Sequence, residues 1–119
     1  MGAKKIYEFE LSGKKLQLSE IDNRFNINGV VLDLPKKESY DTSTQQSTYD
    51  ERGDVNLDFS YPDIQGDRAI INVTITKTRE YWYYGDLGDD WHSYPPGIQR
   101  KRITIRNIKK DLSCKVEDL

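Results

Sequence analysis

The sequence predicts an all-β fold, and three observations carry that expectation. Apolar side chains recur at every second position through most of the 119 residues, while stripes of helical period are hard to find. Two alanines, Ala3 and Ala69, stand against eight tyrosines, two tryptophans and three phenylalanines. Alanine is the best helix former, and aromatic residues fit the pleated surface of a sheet. Short turn signals also punctuate the alternating runs, and short connections join antiparallel neighbours. The expected architecture is a single-domain antiparallel β-sandwich or small barrel over residues 1–119. It has seven or eight strands and one long polar loop at about residues 36–54.

The elements follow in order. Tyr7, Phe9 and Leu11 alternate with Glu8 and Glu10, and Ser12-Gly13 turns the chain into Leu16 and Leu18. A single helical turn near Ser19 to Asn23 is allowed, with Ser19 as its cap. Phe25 and Ile27 run into Asn28-Gly29, the strongest short hairpin signal, because both central residues of a type I′ turn need φ > 0. Val30, Leu32 and Leu34 continue until Pro35, which cannot donate to a ladder. The nineteen residues Lys36 to Asp54 contain no aliphatic side chain, and they are read as a loop. Val55, Leu57, Phe59 and Tyr61 then mark a strand. A long strand from Arg68 to about Tyr84 follows, with Ile71, Val73 and Ile75 on one face. After a glycine-rich and proline-rich connection, Ile98 to Ile108 form another strand, and Leu112, Cys114 and Val116 form a last one.

Charge is balanced overall, with 18 basic and 20 acidic residues and a net charge of −2. Its distribution is uneven. Eight acids and one base, Arg52, lie between Glu38 and Asp67, and six bases and no acid lie between Gln99 and Lys110. The simplest expectation is that these segments neutralise one another in the fold. The longest apolar runs are too short for a membrane-spanning helix, and Met1 to Lys5 lead into no apolar signal core. With one cysteine, Cys114, there is neither an internal disulfide nor a structural zinc site. A cytoplasmic location and no membrane partner are expected.

The aromatic side chains are concentrated. Six of the thirteen fall between Tyr81 and Tyr94, together with the chain's one histidine, His92. Four consecutive aromatics, Tyr81 to Tyr84, cannot all face one core, because alternate strand side chains point to opposite faces. Trp82, Tyr84, Trp91, His92 and Tyr94 are therefore candidate binding residues, as large aromatics dominate interface hot spots. Arg100 and Arg102 join them through an expected hairpin register that sets Tyr84 opposite Ile98. Trp82 then faces Arg100 as a cation–π pair, and Glu80 faces Arg102 as an ion pair.

No catalytic site, metal site or cofactor is expected. A triad would need His92, whose neighbour Ser93 is badly placed, and no nucleophile elbow, zinc-protease helix or phosphate loop occurs. The run Asp86-Leu87-Gly88-Asp89-Asp90 departs from the EF-hand order of ligands and reads as a solvated turn. Arg52-Gly53-Asp54, in the expected loop, and Asn72-Val73-Thr74, in mid-strand, are short motifs of little weight. The leading expectation is a non-enzymatic protein-binding module of the inhibitor or toxin-neutralising immunity type. A carbohydrate-binding β-sandwich is the alternative. Single-stranded nucleic-acid binding by the basic strand 98–110 ranks last, because the acidic middle of the chain opposes a phosphate backbone.

Overall fold

Three consecutive two-residue turns build the first third of the protein. At Ser12-Gly13, Asp22-Asn23 and Asn28-Gly29 both central residues have positive φ, as a type I′ hairpin requires. They join β1 (Lys4–Leu11), β2 (Lys14–Ile21), β3 (Arg24–Ile27) and β4 (Val30–Val31) into an antiparallel meander. The turn at Asp22-Asn23 occupies the place allowed to a short helix, and Ser19 lies in β2. Two residues tolerant of left-handed φ resolve that segment as a tight turn.

This computed structural model describes residues 4–42, 50–83, 88–109 and 111–119. The remaining strands are β5 (Glu38–Asp41), β6 (Glu51–Phe59), β7 (Asp63–Gln65), β8 (Arg68–Tyr83), β9 (Asp90–Ser93), β10 (Gly97–Ile108) and β11 (Asp111–Asp118). They form a second antiparallel sheet in the order β11-β10-β8-β6-β5. The 16-residue β8 is its spine. One edge of β8 pairs with β7 and then β6, the other with β10 and then β9. The all-β expectation holds, with two antiparallel sheets and no helix among the described residues. Among the described residues the strand count rises to eleven because the short β7 and β9 pair along β8 and the short β5 along β6. No helix is long and apolar enough to cross a membrane.

The small sheet packs over one half of the large one. Leu11, Leu16, Leu18 and Ile27 on one side meet Ala69, Ile71, Val73, Ile75, Ile103 and Ile105 on the other, all fully buried. Burying one such aliphatic side chain contributes about 1.5–3 kcal/mol, so this layer is the main source of stability. Phe25 and Phe59 meet across it with ring centroids 5.0 Å apart. The Tyr7 hydroxyl donates to the Phe59 carbonyl at 2.6 Å, and Asn107 Nδ2 donates to the Leu11 carbonyl at 3.0 Å. Both bonds tie the sheets together.

Among the described residues no second sheet covers the large sheet beyond Ile75, and the molecule measures 66 × 32 × 17 Å. Its radius of gyration, 19.0 Å, exceeds the roughly 14 Å of a compact chain of this length. The excess is an arm made of the far half of β8, β9, β5 and the start of β6. The segment expected as a loop at 36–54 is a hairpin of β5 and β6, with Glu38 opposite Val55 and Asp41 opposite Arg52. Its central residues 43–49 lie outside the described residues. It lacks aliphatic side chains because no second sheet covers it, while its backbone is paired like any other strand.

Candidate functional site

The arm continues the alternation of β8 with different chemistry. Odd positions Ala69, Ile71, Val73 and Ile75 are core; the next four, Lys77, Arg79, Tyr81 and Tyr83, stand on the same face with no sheet above them. Across the strand, His92 sits opposite Tyr81. The two rings stack at 5.5 Å with an interplanar angle of 23°, and Tyr83 meets His92 edge-on at 5.2 Å. Tyr94 closes on Tyr81 at 4.9 Å. Tyr83 is 50% exposed and Tyr94 37%, so the cluster is a surface feature.

Charged groups brace this inner face of the arm. Arg79 lies 4.6 Å over the Tyr94 ring. It donates through Nε to Glu51 Oε1 at 2.8 Å and through its terminal nitrogen to Oε2 at 3.2 Å. Such a bidentate pair fixes orientation as well as attraction. The Tyr40 hydroxyl donates to the same Glu51 Oε1 at 2.5 Å. This bond to a carboxylate pushes the Tyr40 phenol above its ordinary pKa. The Tyr40 ring lies on Gly53, where an added Cβ would stand 2.8 Å from that ring and 2.5 Å from the Thr78 carbonyl oxygen. Close approach, rather than φ, demands glycine there.

The outer face of the arm carries a second aromatic pair. Trp82 and Trp91 are directly opposite, with centroids 5.5 Å apart and rings at 79°. Arg52 covers the Trp91 ring at 4.1 Å and bonds Glu80 at 3.1 Å. The expected Trp82–Arg100 and Glu80–Arg102 contacts do not form; Arg52 instead lies over Trp91 and pairs with Glu80.

The expected register between Tyr84 and Ile98 is corrected accordingly. Ile98 lies opposite Thr76, Arg100 opposite Thr74 and Arg102 opposite Asn72. The cause is β9: Asp90–Ser93, read from the sequence as connection, pair with Glu80–Tyr83 and take the place given to β10, and Pro95-Pro96 add a one-residue offset. Ser93 pairs with Glu80 and Gly97 with Lys77, so β9 and β10 lie on one edge of β8 with one extra residue between them. Two residues without an N–H cannot continue a ladder, and a bulge results. Arg100 therefore stands eight residues along β8 from Trp82, about 26 Å at ~3.3 Å per residue.

The sequence-predicted site residues fall into three places. His92 and Tyr94 share the inner face of the arm, Trp82 and Trp91 the outer face, and Arg100 and Arg102 the outer face of the covered half. Tyr84 lies outside the described residues. Tyr40, Glu51, Arg52, Arg79 and Tyr83 belong to the cluster as well. Their signal was the alternation of charged and aromatic side chains in a run without aliphatics. His92 and Ser93 point to opposite faces of β9, opposite Tyr81 and Glu80. Among the described residues no group of His, Cys, Asp or Glu is arranged to hold a metal ion; Asp86 and Leu87 of the acidic turn lie outside them. Arg52-Gly53-Asp54 is paired strand within β6 rather than loop, and Asn72-Val73-Thr74 is mid-strand in β8 with Val73 fully buried. Cys114 is half-buried, and desolvation raises its thiol pKa.

The acidic and basic segments do lie on either side of β8, with Asp58 and Arg100 both opposite Thr74. They do not join. The ion pairs of the acidic segment run from Glu51 to Arg79 and from Arg52 to Glu80. Among the described residues no side-chain hydrogen bond or ion pair reaches Arg100, Arg102 or Arg106.

No family model and no solved structure matches the chain. It is 26% identical over 113 residues to paraclostridial mosquitocidal protein 1 of Paraclostridium bifermentans, a match that covers 91% of this chain and 8% of that protein. The chain thus spans less than a tenth of the relative's length. It is an all-β module similar to a short stretch of a much larger mosquitocidal protein.

Proposed function

We propose that the chain is a non-enzymatic binding module that docks on a partner protein through the aromatic arm. One observation carries this reading: the far half of β8 and the neighbouring β9 segment bear aromatics on both faces of an arm that no part of the described fold covers, with Tyr83, His92 and Tyr94 exposed and Trp82 and Trp91 partly so. Exposed aromatic clusters on soluble domains mark partner sites. Here Arg79, Glu51 and Tyr40 hold the rings in place, which lowers the ordering cost of binding. The similarity to a short stretch of a mosquitocidal protein supports reading the chain as a toxin-related β module. Nucleic-acid binding loses support, because stacking platforms need aromatics among the basic residues, and here the two are far apart.

The test is binding of fluorescently labelled chain to cultured mosquito cells. Saturable binding is expected, lost with Tyr83→Ala or His92→Ala and lost after protease treatment of the cells. Binding that survives protease and disappears after glycosidase treatment transfers the arm to the carbohydrate reading. Binding unaffected by the arm variants overturns the assignment of the surface.

A further inference from the structure

The outer face of the covered half carries a second surface that the arm does not explain. Along β10 the outward positions read Ile98, Arg100, Arg102, Thr104, Arg106 and Ile108. All six side chains point one way, because β10 pairs without interruption with β8 and β11. Arg106 lies directly opposite Arg68 on β8, and Lys115 of β11 faces Thr104.

Like charges directly opposite one another across a ladder are destabilising. Arg68 reaches Gln65 at 2.7 Å, and Lys115 stands 3.8 Å from Glu117; among the described residues Arg106 has no side-chain partner. The acids on this face of β10 and β11 are Glu117, opposite Arg102, and Asp111, opposite Ile108. On these two strands the four cations Arg100, Arg102, Arg106 and Lys115 outnumber them, and Arg68 of β8 adds a fifth; across β8 the acids on this face of the covered half are Asp58, opposite Thr74, and Asp63, opposite Ile70. A sheet that keeps opposed, unneutralised guanidinium groups on a flat exposed face is suited to anions from outside the molecule.

The apolar ends of the row decide which anions. Ile98 is 58% exposed and Ile108 46%, and both flank the arginines on the same face. A linear polyanion gains little from such side chains. A bilayer surface offers phosphates to the arginines and an apolar layer just beneath them for the isoleucines. We propose that the β10 face is a docking surface for anionic lipid headgroups, with Arg68, Arg100, Arg102, Arg106 and Lys115 at the phosphates and Ile98 and Ile108 entering the interface. No segment spans the bilayer in this arrangement. The sequence expectation of no membrane partner rested on the lack of a spanning segment, which does not bear on surface docking.

Sedimentation with phosphatidylcholine vesicles, with and without phosphatidylserine, tests this. The chain should bind only the phosphatidylserine vesicles at about 0.1 M salt and release at about 1 M, where the Debye length falls from ~10 Å to ~3 Å. Arg68→Glu with Arg106→Glu should weaken binding at least about tenfold, and Ile98→Ser with Ile108→Ser should weaken it with charge unchanged. Arg106, Ile98 and Ile108 are exposed and Arg68 is partly so, so circular dichroism should report an intact fold; if the double reversal unfolds, Arg100→Glu serves instead. Tyr83→Ala should bind vesicles like the parent chain, which separates this surface from the arm. No vesicle binding overturns the proposal. So does binding indifferent to the isoleucines with heparin or oligothymidylate held as tightly, which assigns the face to an acidic polysaccharide or to nucleic acid.

Discussion

The two halves of β8 differ in what their inward face meets. From Ala69 to Ile75 that face is aliphatic and sealed by the small sheet; from Lys77 to Tyr83 it is cationic and aromatic and open. The backbone is the same strand, with ladders along both edges over most of its length. Alternation therefore sets which side chains share a face, and the presence of a second layer decides whether that face stabilises the fold or meets a partner. The buried core is concentrated in one half, and the arm proposed as the protein-docking site is the other.

The largest expected effect is in the covered half. Ile71→Ala should cost about 2–5 kcal/mol, as large-to-small changes in a packed core do, read as a lower urea midpoint. A loss below about 1 kcal/mol would mean that the two sheets are not tightly packed. Gly53→Ala comes next. Its methyl group meets a backbone carbonyl and the Tyr40 ring, and overpacking of this kind costs about 1–3 kcal/mol. Hydrogen exchange should locate the loss in residues 51–54 and 78–81, with Ile103 and Ile105 still protected. Loss of protection throughout would show that arm and core unfold together.

Smaller still is Tyr83→Ala, a half-exposed change expected within about 0.5 kcal/mol of the parent. Its thermal midpoint should barely move while cell binding falls. A large drop in midpoint would make the arm part of the core. The smallest effect is spectroscopic. The Tyr40 phenol has a raised pKa because it donates to Glu51. Its contribution is thus present below the ordinary tyrosine range and lost as pH rises through the higher folded value. One tyrosine should ionise late in an absorbance titration, and Glu51→Gln should return it toward the others.

Much of the fold is legible in the residues. Asn28-Gly29 announces its hairpin, and Ile71, Val73 and Ile75 announce a buried face. Reading Lys36 to Asp54 as a loop fails for an identifiable reason: absent aliphatics report an uncovered face, and say nothing about backbone pairing. The candidate site is partly legible. Trp82, Trp91, His92 and Tyr94 stand out by composition, whereas Glu51, Arg79 and Tyr40 are recruited from strands distant in sequence.

The sequence by itself determined the strand class, the type I′ turn at Asn28-Gly29 and the parity of every long strand, because φ preferences and the two-residue repeat are local properties. Tertiary structure decided the register of β8 against β9 and β10, since the Pro95-Pro96 bulge can be placed only once both segments share one edge. It also decided which face of β8 is covered, and where. That depends on how far the small sheet reaches, a length set by packing between segments no local pattern connects. Arg52 takes its place over Trp91, and Arg106 beside Arg68, for the same reason. Strand order in a sheet is a long-range choice.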